Sequence, residues 1–340
     1  MRVLIIGGTG TISHFVLGYL VEAGHEVIIL NHHEHAVPEG VKVLLCDRKN
    51  YPEFIRTVRE NGPYDCIYDM ITFSKEDGEN AIEAYKNIAG QVIFCSTVDV
   101  YSKTGTHYPV TEESERCPRE SFWYGYNKNL CEELFMEADR RGYFHTTILR
   151  PGHTYAEGEN GTTLLFSLLG AGVGASYLLD RLLKGKPIIL HGDGMSVWNV
   201  THGRDTGYAF FRAMCNPKTY GEAYTICGDE CLCFREYYRT AARVLGAPEP
   251  QFVYIPSDVL VRMVPDRSAW AAENFTFNNI LDNSKAKRDL DFHQTVSWEE
   301  GVKLFWDYHL KKGDLENSDD PAFAFYDEVI QKWNEMLALI

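Results

Sequence analysis

The chain has few positive charges for its length. Lys and Arg together number 33 against 48 Asp and Glu, which gives a formal net charge of −15 at pH 7. A field of that sign repels nucleic-acid phosphates and anionic membrane surfaces. We therefore expect a small-molecule substrate as the partner, and neither nucleic acid nor a membrane.

The sequence also lacks long hydrophobic runs and metal-binding cysteine patterns. No apolar stretch approaches the roughly 18 residues that suggest a membrane helix, and the first run, Val3–Ile6, is too short for a signal peptide. The nine cysteines are odd in number and scattered, which is typical of reduced thiols. Cys227, Cys231 and Cys233 cluster, but their spacing matches no zinc pattern. We expect a cytoplasmic protein without a metal site.

The first half of the chain alternates short β-branched segments with helical ones, a pattern typical of a parallel sheet. Six strands are predicted, at Val3–Ile6, Val27–Leu30, Val43–Leu45, Cys66–Asp69, Gln91–Cys95 and Thr146–Leu149. Their apolar runs lack strict alternation, which indicates strands covered on both faces. We predict an α/β chain with a Rossmann-type doubly wound parallel sheet over 1–155. A smaller C-terminal α/β domain over 156–340 is expected mainly to bind substrate, with some segments returning to the first domain.

Large apolar residues recur at helical spacing near the C-terminus. They are Phe323, Tyr326, Ile330, Trp333 and Leu337. This pattern predicts a helix that docks on its own chain. A contact in a homodimer is the alternative.

A glycine-rich segment lies between the first strand and a predicted helix, Thr11–Ala23. It consists of Gly7, Gly8, Thr9, Gly10, Thr11 and Ile12, followed by Ser13. Gly7 and Gly10 permit a tight turn and let the backbone approach a pyrophosphate at the positive end of the helix. A strand-to-helix turn alone can also require glycine. The strand before and the helix after favour a dinucleotide site, and Ser13 is a small substitute for the usual third glycine.

The end of the second predicted strand bears on the choice of cofactor. An acidic residue there would bond the adenosine ribose and repel a 2′-phosphate. Asn31 is neutral, and His32, His33 and His35 follow it. The sequence therefore allows NAD or NADP and slightly favours NADP. We do not predict a metal at these histidines, because a turn after the strand explains them sufficiently.

Hydroxyl groups follow the fifth predicted strand, and a tyrosine and a lysine lie at the start of a later helix. Tyr124 and Lys128 are four residues apart and share a helix face. A phenol is normally too weak an acid for proton transfer near neutral pH. We expect the Lys128 ammonium, with a positive nicotinamide ring, to lower the pKa of Tyr124. The Thr97 hydroxyl can then hold a substrate oxygen against Tyr124. By itself, a Tyr and a Lys at this spacing are a common surface pattern.

With Leu149–Pro151 and Gly192–Gly194 added, the sequence resembles the extended short-chain dehydrogenase/reductase superfamily, which includes nucleotide-sugar epimerases and dehydratases. The resemblance covers nearly the whole chain. It implies that Thr97, rather than Ser96, is the catalytic hydroxyl. It also implies cofactor contacts beyond the glycine segment, from Asn31, His32, Asp47, Arg48, Thr72, Ser96, Tyr124, Lys128, Pro151 and His153.

The sequence departs from the family pattern at three places. Asp99 lies where the sugar dehydratases carry an acidic catalytic residue and could act as a base, but Val98 precedes it where several of them are polar. A solvated loop aspartate is the alternative. Trp198 occupies the position of an Arg that clamps a sugar diphosphate, and an aromatic ring cannot replace a bidentate guanidinium. His153 replaces the usual Asn.

The substrate is expected to contact Thr97, His153, Trp198 and His202. One hypothesis is an epimerase or dehydratase that oxidises a sugar or nucleotide-sugar alcohol, which Asp99 favours. A second is a simple NADP-dependent reductase or dehydrogenase of a small non-nucleotide carbonyl or alcohol, which Trp198 favours. A third is a non-catalytic binding protein on the same fold, as in some chloroplast RNA-associated relatives. The charge of −15 and the intact Thr97, Tyr124 and Lys128 argue against it.

Overall fold

The structure is a computed structural model that describes residues 1–104, 107–158, 176–268 and 270–339. Its strands are β1 (Arg2–Ile6), β2 (Glu26–Asn31), β3 (Lys42–Leu45), β4 (Tyr64–Asp69), β5 (Ala89–Cys95), β6 (His145–Pro151), β7 (His153–Tyr155), β8 (Ile188–His191), β9 (Val197–His202), β10 (Glu222–Ile226), β11 (Cys231–Cys233) and β12 (Phe252–Ile255).

The α-helices follow the same chain order. They are α1 (Ser13–Glu22), α2 (Tyr51–Glu60), α3 (Lys75–Tyr85), α4 (Trp123–Arg140), α5 (Ser176–Leu183), α6 (Gly203–Ala213), α7 (Phe234–Leu245), α8 (Ser257–Met263), α9 (Ser284–Leu290), α10 (Trp298–Lys312) and α11 (Ala324–Leu337). The chain divides into two compact units. Unit 1 comprises Met1–Thr154, Gly203–Gly228 and Leu281–Thr295, and unit 2 comprises Tyr155–His202, Asp229–Ile280 and Val296–Ile340.

Unit 1 is built on a seven-stranded sheet in the order β10-β6-β5-β4-β1-β2-β3. Every neighbouring pair in it is parallel. The predicted doubly wound parallel sheet is therefore confirmed. Because the strands are parallel, their carboxyl ends lie along one edge of the sheet, where ligands bind in this class of fold.

Alternate residues of the central strands bury on opposite faces of this sheet. Val3 and Ile5 pack in one core with Val16 of α1. Leu4 and Ile6 pack in another. The second core also includes Phe54 of α2, Ala81 of α3 and Phe135 of α4. Helices cover both faces, which is why the strands read as continuous apolar runs.

Unit 2 has smaller sheets and a core rich in aromatic side chains. Strand β8 pairs with β12 in parallel, and β9 pairs with β11 antiparallel. The predicted C-terminal helix docks on this unit: the Phe323 ring stacks on Tyr177 with centroids 4.4 Å apart. The backbone N–H of Ile189 donates to the Tyr326 hydroxyl at 2.8 Å. The first half of this segment therefore packs on its own chain, whereas Leu337 near its end is 48% exposed.

The described part of the chain lacks two features. No helix there has the length and apolar character needed to cross a membrane. No group of three or more His, Cys, Asp or Glu side chains there is placed to hold a metal ion.

Candidate active site at the carboxyl edge of the parallel sheet

The glycine segment turns the chain sharply from β1 into α1. Gly7 has a φ of +83°, and a Cβ atom added there would lie 2.6 Å from the Ile71 side chain. A Cβ atom at Gly8 would lie 2.7 Å from the Ile29 side chain. The Gly10 N–H donates to Ser13 Oγ at 2.8 Å, and the first turn of α1 carries no acidic residue. The turn therefore leads into a helix whose first turn carries no carboxylate, which suits a pyrophosphate.

Asn31 shapes this glycine turn. The Gly8 N–H donates to Asn31 Oδ1 at 3.0 Å, and Asn31 Nδ2 donates to Thr9 Oγ1 at 3.5 Å. Asn31 is buried, whereas His32 and His33 are exposed. The end of β2 and the glycine turn are therefore one hydrogen-bonded group.

Arg48 and Thr72 are engaged in a buried polar cluster around Asp69. Arg48 Nη1 lies 3.2 Å from Asp69 Oδ1, and Arg48 Nη2 donates to the Asp77 carbonyl at 3.0 Å. Thr72 Oγ1 donates to Asp69 Oδ2 at 2.6 Å. These side chains join the end of β4 to α3. Of the two adjacent residues predicted to contact the cofactor, Arg48 is therefore buried and Asp47 is exposed.

The loop after β4 lies between the glycine turn and the predicted catalytic residues. Ile71 packs at Gly7, and two residues later the centroid of the Phe73 ring lies 4.5 Å from Lys128 Nζ. The centroids of the Phe73 and Tyr124 rings are 6.4 Å apart. Sequence reasoning did not single out Phe73, because an isolated aromatic residue in a loop has no distinctive pattern.

Lys128 lies in the second turn of α4 and is buried, with only 1% of the residue exposed. Its ammonium donates to the Cys95 carbonyl oxygen at 2.7 Å, at the end of β5. Burial lowers the pKa of Lys128, because the charged form loses its hydration. This hydrogen bond fixes α4 against the end of β5, two residues before Thr97.

Tyr124 and Thr97 are brought together as the sequence predicted, and their side chains are hydrogen-bonded. The sequence predicted that Lys128, together with a nicotinamide ring, lowers the pKa of Tyr124. In the protein alone, that pKa is raised. Burial raises the pKa of Tyr124, the Cys95 and Asp99 side chains raise it further, and the Thr97 hydrogen bond lowers it. Lys128 Nζ is 6.0 Å from the Tyr124 ring centroid and donates to a backbone carbonyl instead. The phenol of the protein itself is therefore a protonated group at neutral pH.

Asp99 is buried beside Thr97, so the alternative of a solvated loop aspartate is wrong. Its side chain accepts a hydrogen bond from Thr97 Oγ1 at 3.3 Å, and its backbone N–H donates to that same oxygen at 3.2 Å. The Lys103 ammonium lies 3.3 Å from Asp99 Oδ1. A Cβ atom on Gly125 would overlap the Asp99 carbonyl oxygen, so α4 approaches this turn only because residue 125 is glycine.

Ser96 is directed away from Thr97 into a second polar cluster. Its hydroxyl donates to Glu132 Oε1 at 2.5 Å. The Arg150 guanidinium donates to both oxygens of the same carboxylate, at 2.9 and 2.7 Å. The Ser96 side chain therefore ties the end of β5 to α4 and β6. Pro151 is buried at the end of β6, and His153 is half-buried in β7.

The two residues of unit 2 that were predicted to contact substrate lie in its interior. Trp198 is 3% exposed, packs edge-on against Phe275, and donates from Nε1 to the Phe277 carbonyl at 3.2 Å. His202 is fully buried, with Nε2 2.7 Å from Glu157 Oε2. Both positions serve the core of unit 2 rather than an exposed wall, because their polar atoms bond groups of that unit.

The sequence that forms this site matches a known protein family. The model of the NAD dependent epimerase/dehydratase family matches residues 3–227, which is more than half of the chain. The chain belongs to this family. The family expected from the glycine segment and from Thr97, Tyr124 and Lys128 is therefore confirmed.

Proteins similar in sequence to this chain have different names. The chain is 25% identical over 284 residues to 2′-dehydrokanamycin reductase of Streptomyces kanamyceticus. This match covers 83% of this chain and 77% of the relative. It is also 25% identical over 268 residues to the chloroplast stem-loop binding protein of 41 kDa b of Arabidopsis thaliana. That match covers 74% of this chain and 65% of the relative.

Among solved structures, the fold is similar to UDP-glucuronic acid 4-epimerase from Bacillus cereus in complex with UDP-glucuronic acid and NAD. The TM-score is 0.70 at 18% identity, and the match covers 92% of this chain and all 100% of the other. At that identity, the similarity establishes the fold.

Proposed function

We propose that this protein catalyses NAD(P)-dependent hydride transfer at an oxygen-bearing carbon of a sugar or nucleotide-sugar, in an epimerase- or dehydratase-type reaction. The observation that carries the proposal is the hydrogen-bonded Thr97–Tyr124 pair on the sheet edge that also bears the glycine turn. Tyr124 is the acid/base, and Thr97 orients the reacting oxygen. Lys128 binds the cofactor's ribose and adds positive charge.

The glycine turn is the proposed site of the cofactor pyrophosphate. Gly7 and Gly8 keep side chains out of the turn, and the N-terminus of α1 supplies N–H groups and partial positive charge. When the dinucleotide is bound, its nicotinamide ring would supply the hydride acceptor or donor. Thr11, Ile12, Asp47 and His153 are the further cofactor contacts that we propose.

The neutral Asn31 supports a slight preference for NADP over NAD. It already accepts the Gly8 N–H at 3.0 Å, and it presents no carboxylate to repel a 2′-phosphate. The exposed His32 is the nearest side chain along the chain that can bond such a phosphate.

We propose that unit 2 supplies most of the substrate contacts, since unit 1 carries the glycine turn and the acid/base group. Two of its cations are paired with carboxylates of the same unit. Arg181 is fully buried and donates to Asp327 at 2.7 Å, and Lys184 pairs with Asp180 and Asp319. With Trp198 in the core and these two cations paired, we infer that none of the three side chains serves as a bidentate diphosphate clamp.

This shortage of clamping groups favours a second candidate, a reductase of a carbonyl compound without a nucleotide. The similarity to 2′-dehydrokanamycin reductase supports the same candidate. Both candidates use the same acid/base group, because reduction of a ketone needs a proton donor at its oxygen.

The stem-loop binding relative raises the alternative of RNA binding. The net charge of −15 opposes it, because RNA affinity depends mainly on cations that neutralise phosphates. Retention of Thr97, Tyr124 and Lys128 in one arrangement supports catalysis instead.

A substrate panel tests the proposal. Parent protein and Tyr124→Phe are incubated with NAD or NADP and with UDP-glucose, UDP-glucuronic acid and the corresponding free sugars. The reduced cofactors are incubated with 2′-dehydrokanamycin. Cofactor absorbance and chromatography of the products report net redox and epimerisation or elimination.

We expect turnover of at least one compound that is lost in Tyr124→Phe. Conversion of the aminoglycoside ketone alone would identify the second candidate. Equal rates in the parent and Tyr124→Phe would contradict both, and salt-sensitive binding of an RNA stem-loop without turnover would favour the binding-protein alternative.

A further inference from the structure

Phe73 is an aromatic side chain beside the proposed site that neither the sequence motifs nor the proposed mechanism uses. It lies in the loop after β4, and 37% of the residue is exposed. The centroid of its ring is nevertheless 4.5 Å from Nζ of Lys128, a residue that is only 1% exposed. A partly exposed ring on a loop thus faces a charge that is itself shielded from water.

The Lys128 ammonium has little polar compensation for its burial. It donates to the Cys95 carbonyl oxygen at 2.7 Å, although an ammonium has three hydrogens to donate. Within the described residues, no carboxylate forms an ion pair with it. Burial lowers the pKa of Lys128, the side chains of Cys95, Asp69 and Cys131 raise it, and the Arg48 charge lowers it. The ammonium therefore needs further stabilisation to stay charged.

Three aromatic rings face this ammonium. The centroids of Phe73, Phe94 and Tyr124 lie 4.5, 4.9 and 6.0 Å from its Nζ atom. The face of an aromatic ring carries partial negative charge and attracts a cation within about 6 Å, most strongly where water is excluded. Phe94 is fully buried and stacks on Phe135, so it also serves the core. Phe73 is the nearest of the three rings and lies on a loop.

Buried hydrogen bonds of the loop backbone hold Phe73 in this place. The backbone N–H groups of Phe73 and Ser74 donate to Asp77 Oδ2 at 3.3 and 3.1 Å. One residue earlier, the Thr72 N–H donates to Asp69 Oδ1 at 3.0 Å. Both carboxylates are fully buried. The ring is therefore carried by a backbone that is fixed on either side of it.

We propose that Phe73 is a positioning residue, in which the face of the ring stabilises the charged Lys128 ammonium in place of a carboxylate partner. A lysine that is buried without an ion pair thereby keeps its positive charge. Lys128 remains the group that contacts the cofactor, and Phe73 acts only through it. This role rests on the proposed function, because that function is what uses the charge.

Fluorination of Phe73 tests the contact with little change in shape, because fluorine withdraws electron density from the ring face. Phe73 is replaced by mono-, di- and trifluorophenylalanine in protein labelled with ¹³C at lysine Cε, and the Lys128 signal is assigned by its loss in Lys128→Met. In the free protein, we expect each added fluorine to lower the pKa of Lys128, by roughly one pH unit for the trifluoro ring. The control is the same series at Phe144, a buried ring that contacts Phe135, and it should leave the Lys128 titration unchanged.

NAD binding connects this contact to the proposed function. Calorimetric titrations over a range of pH give the NAD affinity of the parent and of the protein with trifluorophenylalanine at residue 73. We expect the affinity of the parent to fall as Lys128 loses its proton. In the fluorinated protein, the fall should occur at lower pH, by the same interval as the titration of Lys128 itself.

The Lys128 titration and the NAD affinity report on different claims. A Lys128 signal that titrates identically across the Phe73 series, that does not titrate at all, or that moves equally in the Phe144 series would overturn the role of Phe73. An NAD affinity that does not follow the Lys128 titration in the parent would count against the ribose contact in the proposed function. The Lys128 titration would still decide the role of Phe73.

Discussion

Tyr124 shows how burial sets the chemistry of a single residue. Removal from water disfavours the phenolate, so the pKa of Tyr124 is raised and the group holds a proton at neutral pH. The same effect lowers the pKa of the buried Lys128. A protonated phenol beside Thr97 is suited to donate to a carbonyl oxygen as that oxygen gains negative charge.

Replacement of Tyr124 tests this assignment. Tyr124→Phe removes one oxygen and little volume, so we expect the fold and the NAD affinity to persist. Turnover should fall by ~10²–10⁴, the usual contribution of a positioned general acid or base. The measurement is kcat together with NAD binding for both proteins. A variant that binds cofactor and turns over at the parental rate would mean that this tyrosine has no catalytic part.

Asn31 is the residue at which the proposed preference between the two dinucleotides can be tested. Asn31→Asp keeps an acceptor for the Gly8 N–H but adds a charge that repels a 2′-phosphate. We expect the ratio of NAD to NADP affinity, measured by titration calorimetry, to rise. Asn31→Gln adds length without charge and is the comparison. The same affinity ratio in the parent and Asn31→Asp would show that this position does not face the ribose.

At the scale of elements, the position of α4 depends on close contacts at its start. Gly125 lies against the Asp99 carbonyl, and Lys128 bonds the end of β5 one turn later. Ser96 and Arg150 add a tie from the neighbouring strands through Glu132. Together these contacts place the Tyr124 hydroxyl at Thr97.

A methyl group at residue 125 tests this close approach. Gly125→Ala should destabilise the protein by ~1–3 kcal/mol, as overpacking does, and should lower turnover because α4 must move away from Asp99. Gly18→Ala is the matched control, since a Cβ atom there meets nothing within 4 Å and the site lies inside α1. That change should be neutral or stabilising. Thermal unfolding and kcat are measured for both, and equal behaviour of the two variants would contradict the packing argument.

At the scale of the whole molecule, cofactor binding should be coupled to unfolding. A ligand that binds only the folded state stabilises it by about 2.7 kcal/mol at one hundred times its dissociation constant. We therefore expect NAD or NADP to raise the melting temperature of the full chain. Gly7→Ala should lower the melting temperature of the free protein, because a side chain there strains a φ of +83° and meets Ile71, and it should also abolish the shift on addition of cofactor. Identical melting curves with and without both dinucleotides would argue against the cofactor site.

The sequence by itself determined the parallel sheet, the glycine turn, and the contact between Thr97 and Tyr124. Each follows from local patterns: apolar runs that build buried strands, glycines that allow a tight turn, and a four-residue spacing on one helix face. Because parallel strands end at a common edge, these segments meet without further information.

Only the tertiary structure decided which side chains are engaged in the interior. Arg48, Ser96 and Trp198 have residue types that suit ligand contacts, yet Asp69, Glu132 and the core around Phe275 hold them. The burial of Asp99 beside Lys103, and the raised pKa of Tyr124, likewise depend on how turn and helix pack. Solvent exclusion and long-range hydrogen bonds set these properties, and no local spacing in a chain encodes them.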